Sequence, residues 1–230
     1  MDIPAWIATS VRSPGRPAAS GASGCTPIEC RLFVSGLSGM GPGLAESLSW
    51  MLEGGSGERD VLICGVDTES TQRTVHLLQL CVGNRAILIH RSSGLLTCRG
   101  DLASFLNGSA AIPGRPPVVF CGAELVGDAA ALLADGLVMH RGLDATPLYS
   151  ALYGGGRASD AERGDGSPTR KPLPQAAWDE NAIVGLRRMF ETTYGVVWAK
   201  DKAVTISDWS VRDLSPLQVE YAAQVRSGSV

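Results

Sequence analysis

Three apolar runs follow one another between residues 59 and 90, and they limit the possible folds of this 230-residue chain more than anything else in it. Arg59–Asp67 (RDVLICGVD) is almost continuously apolar, as a strand buried on both faces would be. Thr74–Val82 (TVHLLQLCV) and Arg85–His90 (RAILIH) come next, with only Gly83-Asn84 between them. A Gly/Asn pair tolerates the positive φ angles of a tight hairpin turn, so these two runs read as a hairpin. Together the three runs predict a three-strand antiparallel meander.

On either side of the meander the pattern alternates between helix and strand. Ile28–Ser35 (IECRLFVS) alternates apolar and polar residues and predicts a strand, while Leu44, Leu48, Met51 and Leu52 recur at helical spacing within Gly43–Glu53. After the meander come a short helix at Asp101–Leu106, a strand at Pro117–Cys121 and a helix at Ala123–Ala134. Leu125, Ala129, Leu132 and Leu133 form the apolar face of that helix, and Gly136 follows it as its C′ residue. A further strand is expected within Leu137–Leu143 and a further helix at Pro147–Tyr153. Gly154–Pro174 is polar and low in complexity and reads as a mobile loop. Asp179 then caps a helix with Ile183, Leu186 and Phe190 on one face, closed by Gly195. Ser215-Pro216-Leu217-Gln218 starts the last helix with a capping box. This order predicts an α/β protein: a mixed sheet, made of the meander and further strands, flanked by helices. The last helix is expected to be truncated.

Composition narrows the function classes. The chain is 44% apolar and 19% charged, ordinary for a folded globular protein. No apolar run approaches the roughly 20 residues of a membrane span, so no membrane association is expected. The net charge of -3 excludes a globally basic nucleic-acid coat, but not an enzyme that grips phosphates locally. None of the six cysteines forms a CxxC pair, so no zinc is expected. Cys64, Cys81 and Cys121 sit in apolar runs and suit a reducing, intracellular compartment such as nucleus or cytoplasm. Residues 1–26, rich in Ala, Ser, Gly, Pro and Arg, read as a disordered leader whose composition also allows organelle targeting. Residues 27–230 are expected to form the functional domain.

Three places carry candidate chemistry. Asp67 and Glu69 end the most apolar run, and residues i and i+2 of a strand share a face. Two carboxylates so placed repel each other unless a cation lies between them; taken alone, the motif fits a turn cap with a solvated Glu69 better. Asp128 falls on the apolar face of its helix, where a carboxylate must be paired, hydrogen-bonded, ligating a metal or reaching water at the edge. Tyr221, followed by Ala222-Ala223, reads as packing or as a phenol that holds a water or phosphate oxygen. Lys200, Lys202, Arg187 and Arg188 are either backbone contacts for a nucleic-acid strand or solvated charge. His76, His90 and His140 are scattered and read as core or surface residues rather than ligands.

The ordered segments GVDTE with TVHLLQLCVGNRAILIH, CGAELVGDAAALL, and NAIVGLRRMFETTYGVVWAKDKAVTISDWSVRDLSPLQVEYAA resemble the three motifs of Werner-syndrome-type 3′→5′ exonucleases. These belong to the tyrosine subfamily of the DEDD, DnaQ-like (RNase H-like) superfamily, and the resemblance covers residues 28–224. It implies hydrolysis of phosphodiester bonds at DNA or RNA 3′ ends, with two ions, Mg²⁺ or Mn²⁺, held among four carboxylates. Carried over, Asp67 would bridge both ions, Glu69 would serve the nucleophile-side ion, Asp128 the second, and Tyr221 would orient the attacking water. The sequence departs from the family at Val225, where the Tyr-x-x-x-Asp pattern requires the fourth carboxylate. Glu220 cannot replace it, because five residues along a helix turn a side chain off that face. An impaired exonuclease is therefore expected; the alternatives are a non-catalytic nucleic-acid- or protein-binding member of the same fold and a truncated product.

Overall fold

The computed structural model describes residues 6–11, 28–35, 42–55, 60–91, 100–108, 116–153, 189 and 202–227. Seven strands form one mixed sheet. They are β1 (Trp6–Val11), β2 (Ile28–Ser35), β3 (Leu62–Thr71), β4 (Thr74–Val82), β5 (Arg85–Arg91), β6 (Val118–Gly122) and β7 (Gly142–Asp144), in the order β1-β2-β5-β4-β3-β6-β7. The helices are α1 (Pro42–Glu53), α2 (Asp101–Leu106), α3 (Leu125–Ala134), α4 (Ala145–Tyr153), α5 (Lys202–Thr205) and α6 (Pro216–Ser227).

The meander forms as its pattern predicts: β3, β4 and β5 pair antiparallel in sequence order. Gly83 turns the β4–β5 hairpin at φ +59°, and a Cβ there would meet the Gly54 carbonyl oxygen at 2.5 Å. Both the dihedral and the close approach exclude a side chain. The outer strands join by parallel pairing, β2 on β5 and β6 on β3, with β7 parallel to β6. These parallel pairs need the crossover helices that the alternating pattern supplies.

Three expectations shift. Within the leader read as disordered, Trp6–Val11 is an edge strand antiparallel to β2. The strand expected at Leu137–Leu143 is confined to Gly142–Asp144. The helix expected from Ala123 starts at Leu125, because Glu124 adopts the left-handed conformation at φ 58°. The loop 154–174, the helix after Asp179 and the remainder of the leader lie outside the described residues.

Period-2 alternation divides the sheet into two packed faces. On one, Cys64 and Val66 of β3, Leu78 and Leu80 of β4, and Ile87 and Ile89 of β5 pack against α1, α2 and α3 in a single core. On the other, Leu77 and Cys81 of β4 and Ala86 and Leu88 of β5 pack under Trp209 and the Tyr221-Ala222-Ala223 stretch of α6. Burying apolar surface on both faces stabilises by roughly 25 cal/mol per Å². It also fixes the register, since a one-residue slip would turn every side chain to the opposite face.

Candidate active site

Asp67, Thr68 and Glu69, expected at the end of their strand, lie in the second half of β3, which runs on to Thr71; they are beyond its last pairing with β6 at Gly65, and all three are half-buried. Asp67 pairs with Gln79, Thr68 with Leu78 and Glu69 with Leu77. One residue further on the register slips: Ser70 pairs with Val75, which leaves His76 as a bulge. Bulges sharpen the local twist and end regular pairing, so the carboxylates sit where the ladder is about to break up.

Because Asp67 and Glu69 share the face of Leu77, they lie on the α6 side of the sheet. Thr68 points to the α3 side. There its hydroxyl donates a 2.7 Å hydrogen bond to Asp128 Oδ1. Asp128 stands in the first turn of α3, where the helix dipole favours a negative charge. The helix start is strained: Glu124, at its N-cap position, is left-handed without a side-chain cap, and its backbone N–H reaches Thr146 Oγ1 at 3.3 Å. Asp144 Oδ1 in turn accepts the Thr146 N–H at 2.8 Å, so the starts of α3 and α4 are tied together. At the far end of α3, Asp135 forms a buried 2.6 Å ion pair with Arg91 and accepts the Val75 N–H at 3.2 Å.

On the α6 side, the capping box forms as its sequence predicts: Ser215 Oγ accepts the Gln218 N–H, and Gln218 Oε1 accepts the Ser215 N–H. Gln218 Nε2 also donates to Ser207 Oγ and to the Asp208 carbonyl, which fixes the Ser207–Trp209 segment to the helix. Tyr221 is buried and packs against Trp209, with ring centroids 6.0 Å apart. Its phenol oxygen accepts a 3.2 Å bond from Thr205 Oγ1. His90, fully buried, places Nε2 3.3 Å from the Trp209 carbonyl. Burial lowers its pKa, against the opposing pull of the Trp209 and Val211 carbonyls.

The structure therefore gathers Asp67, Glu69 and Tyr221 on the side of the sheet that α6 covers, and it engages Asp128 through Thr68 on the other side. Lys202 is exposed at the start of α5. Val225 stands within the helical backbone of α6, while Arg187 and Lys200 lie outside the described residues. Among the described residues, no three His, Cys, Asp or Glu side chains stand close enough to hold a metal ion. The described residues thus offer Asp67 and Glu69 as an acidic pair that could hold a divalent cation, without a third carboxylate gathered beside them. No helix among them is long and apolar enough to cross a membrane.

No family model matches the sequence, and no curated protein matches it. Solved structures do. RNase D from Escherichia coli, an exoribonuclease involved in structured RNA processing, aligns over 81% of this chain at 20% identity and a TM-score of 0.50. The EXO domain of Nibbler from Aedes aegypti aligns over 79% at 19% identity and a TM-score of 0.51. The fold is the RNase H-like exonuclease fold. The alignment spans 77% of the Nibbler chain but 39% of RNase D.

Three residues of this region escape sequence reasoning. Thr68 is hidden between the two carboxylates, and its bond to Asp128 appears only once α3 packs on the sheet. His90 shows in the sequence only as a core or surface residue, because its contact with Trp209 spans 119 positions. Gln79 had a visible signal, a single amide in the otherwise apolar end of TVHLLQLCV.

Proposed function

We propose that this chain is a 3′→5′ exonuclease of the Werner type that removes nucleotides from DNA or RNA 3′ ends with Mg²⁺ or Mn²⁺. The observation that carries the reading is the pair Asp67 and Glu69. They project on one face from the second half of the inner strand β3, beneath the helix that holds Tyr221, in an RNase H-like sheet. Two carboxylates two residues apart on a strand concentrate negative charge where a cation and a phosphodiester would meet. Tyr221 supports the tyrosine subfamily. Lys202, together with Arg187 and Lys200, belongs to the proposed strand-binding surface. The burial of Cys30, Cys64 and Cys81 among apolar side chains supports an intracellular location.

A specific set of observations favours a second reading, a non-catalytic nucleic-acid- or protein-binding protein of the same fold. By the resemblance, Val225 stands where the family has its fourth carboxylate, and Asp128 accepts the Thr68 hydroxyl while no three acidic side chains gather among the described residues.

One assay separates the two. The purified protein is incubated with a single strand and a 3′-recessed duplex, as DNA and as RNA, with Mg²⁺ or Mn²⁺ and beside an Asp67→Ala control. Nucleotide release above the control supports the enzyme, and Val225→Asp should then raise the rate. Saturable binding in fluorescence anisotropy with no release above the control supports the second reading and removes the first.

A further inference from the structure

α6 grips the turn that precedes it through two side chains. Gln218 and Tyr221 stand three residues apart in the helix and therefore share a face. Gln218 Nε2 donates to Ser207 Oγ at 3.1 Å and to the Asp208 carbonyl at 3.0 Å. Tyr221 meets the same turn through its phenol oxygen, which accepts the Thr205 hydroxyl at 3.2 Å. The two grips differ in kind. Gln218 completes the capping box and anchors the turn. Thr205 touches the phenol oxygen, the one atom of Tyr221 that a water-orienting role requires.

Thr205 is itself held firmly. It closes α5, whose Val204 is buried with Trp209, Tyr221 and Ala222 in the core beneath α6. The Val204 carbonyl accepts the Ser207 N–H at 3.1 Å and the Ser207 hydroxyl at 2.6 Å. The Thr205 carbonyl accepts Trp209 Nε1 at 3.4 Å, and the Trp209 ring lies against the Tyr221 ring, tilted by 42°. The backbone of Thr205 thus holds the indole that packs on the tyrosine, while its side chain holds the phenol oxygen.

The chemistry of a phenol makes the side-chain contact directional. The oxygen accepts, and the single O–H donates close to the ring plane, to one side of the oxygen or the other. A hydroxyl that donates from one side sets the phenol proton to the opposite side. Threonine suits this task, because its β-branch restricts χ1 and keeps the hydroxyl in place.

We propose that Thr205 is a positioning residue for Tyr221: its hydroxyl takes the acceptor side of the phenol oxygen and so sets the direction in which the phenol donates. The contact belongs to the fold. Its consequence for catalysis, the aiming of Tyr221 at the attacking water, rests on the exonuclease reading.

The test joins a shape-preserving variant with a direct probe of the phenol. Thr205→Val keeps the β-branch and removes the hydroxyl, and Thr205→Ser restores the hydroxyl. With Mn²⁺ and a single-stranded substrate, Thr205→Val should lower kcat about 10–100-fold with little change in KM, the usual size of effect for a group that orients another through a hydrogen bond. Thr205→Ser should recover most of that rate. In a Tyr221→Phe background Thr205→Val should lower kcat no further, since an effect that passes through the phenol disappears with it. A second readout needs no activity. The chain has four tyrosines, so with tyrosine isotopically labelled at Cζ the Tyr221 resonance is assigned by its disappearance in Tyr221→Phe. It should move in Thr205→Val and return in Thr205→Ser. A Thr205→Val protein with the parent kcat, equal rate losses in both backgrounds, or a Tyr221 resonance indifferent to the substitution overturns the proposal. If Thr205→Val does not fold, Thr205→Ala takes its place in every comparison. A parent protein that releases no nucleotide while its Tyr221 resonance follows the hydroxyl defeats the exonuclease reading and leaves the contact standing; an active protein with an indifferent resonance does the reverse.

Discussion

Along the second half of β3, the two faces of the sheet treat their polar groups in opposite ways. On the α3 side, Asp128 receives the Thr68 hydroxyl, and Asp135 receives both the Arg91 guanidinium and the Val75 N–H. On the α6 side, Asp67 and Glu69 share their face with the fully buried Gln79 and His90, whose amide and Nδ1 have no partners among the described residues. The contrast teaches that one polar set ties helix to sheet while the other buries the Gln79 amide and His90 Nδ1 without such ties among the described residues. The α3 side uses its carboxylates as ties between helix and sheet. The α6 side keeps carboxylates, amide and imidazole under a helix capped and stapled in place by Gln218.

Removing the tie at Arg91 is the severest challenge to this contrast. Arg91→Ala leaves Asp135 buried without its cation, and breaking one partner of such a pair costs about 3–5 kcal/mol. Urea unfolding should show that loss; a change within error would mean that the α3 side is not held by this pair. Thr68→Val is next in size. It keeps the shape but deprives Asp128 Oδ1 of its donor, at an expected cost of about 1 kcal/mol because half-exposed Asp128 can recruit water. The same variant sharpens the comparison, for a large loss of nuclease rate with little loss of stability would move Asp128 from a structural tie to a catalytic role.

A smaller and opposite effect is expected at Glu124. Glycine accepts its left-handed conformation without the Cβ penalty, so Glu124→Gly should stabilise by about 0.5–1 kcal/mol, visible as a raised Tm. A lowered Tm would show that the Glu124 side chain contributes contacts outweighing the strain.

The smallest expected effect is the pH response of the α6 side. Burial lowers the pKa of His90 below the ordinary 6.5, and His76, on the bulge, is lowered as well, first by burial and then by Arg91. Between the folded and unfolded pKa values the unfolded chain binds more protons. The histidine contribution is therefore complete above the ordinary value and is lost as pH falls through the folded one. Urea midpoints should drop between about pH 7.5 and about pH 5.5, and His90→Phe should flatten that drop. An unchanged slope would mean that His90 stays out of contact with the proton balance of folding.

Much of this was legible in the residues. Gly83-Asn84 between two apolar runs fixes a hairpin locally, because turn chemistry acts over a few residues. Ser215 and Gln218 write their own capping box for the same reason. The i, i+2 spacing of Asp67 and Glu69 places them on one face of any strand they occupy. Trp6–Val11 was not legible: an edge strand takes much of its stability from the strand beside it, here β2, and a short run in a Pro- and Ser-rich leader carries little signal of its own. Nor was the left-handed turn at Glu124, since nothing in a glutamate announces a positive φ.

By itself, then, the sequence determined the meander, the alternation of helix and strand around it, and which residues carry chemistry, since those follow from local periodicity and side-chain type. Only the tertiary structure decided that Thr68 faces Asp128 while Asp67 and Glu69 face α6, and that His90 reaches the Trp209 carbonyl beneath the same helix. Those relations join residues up to 60 positions apart on the α3 side and 119 on the α6 side. They exist only when both faces of the sheet are covered and the register is locked by burial.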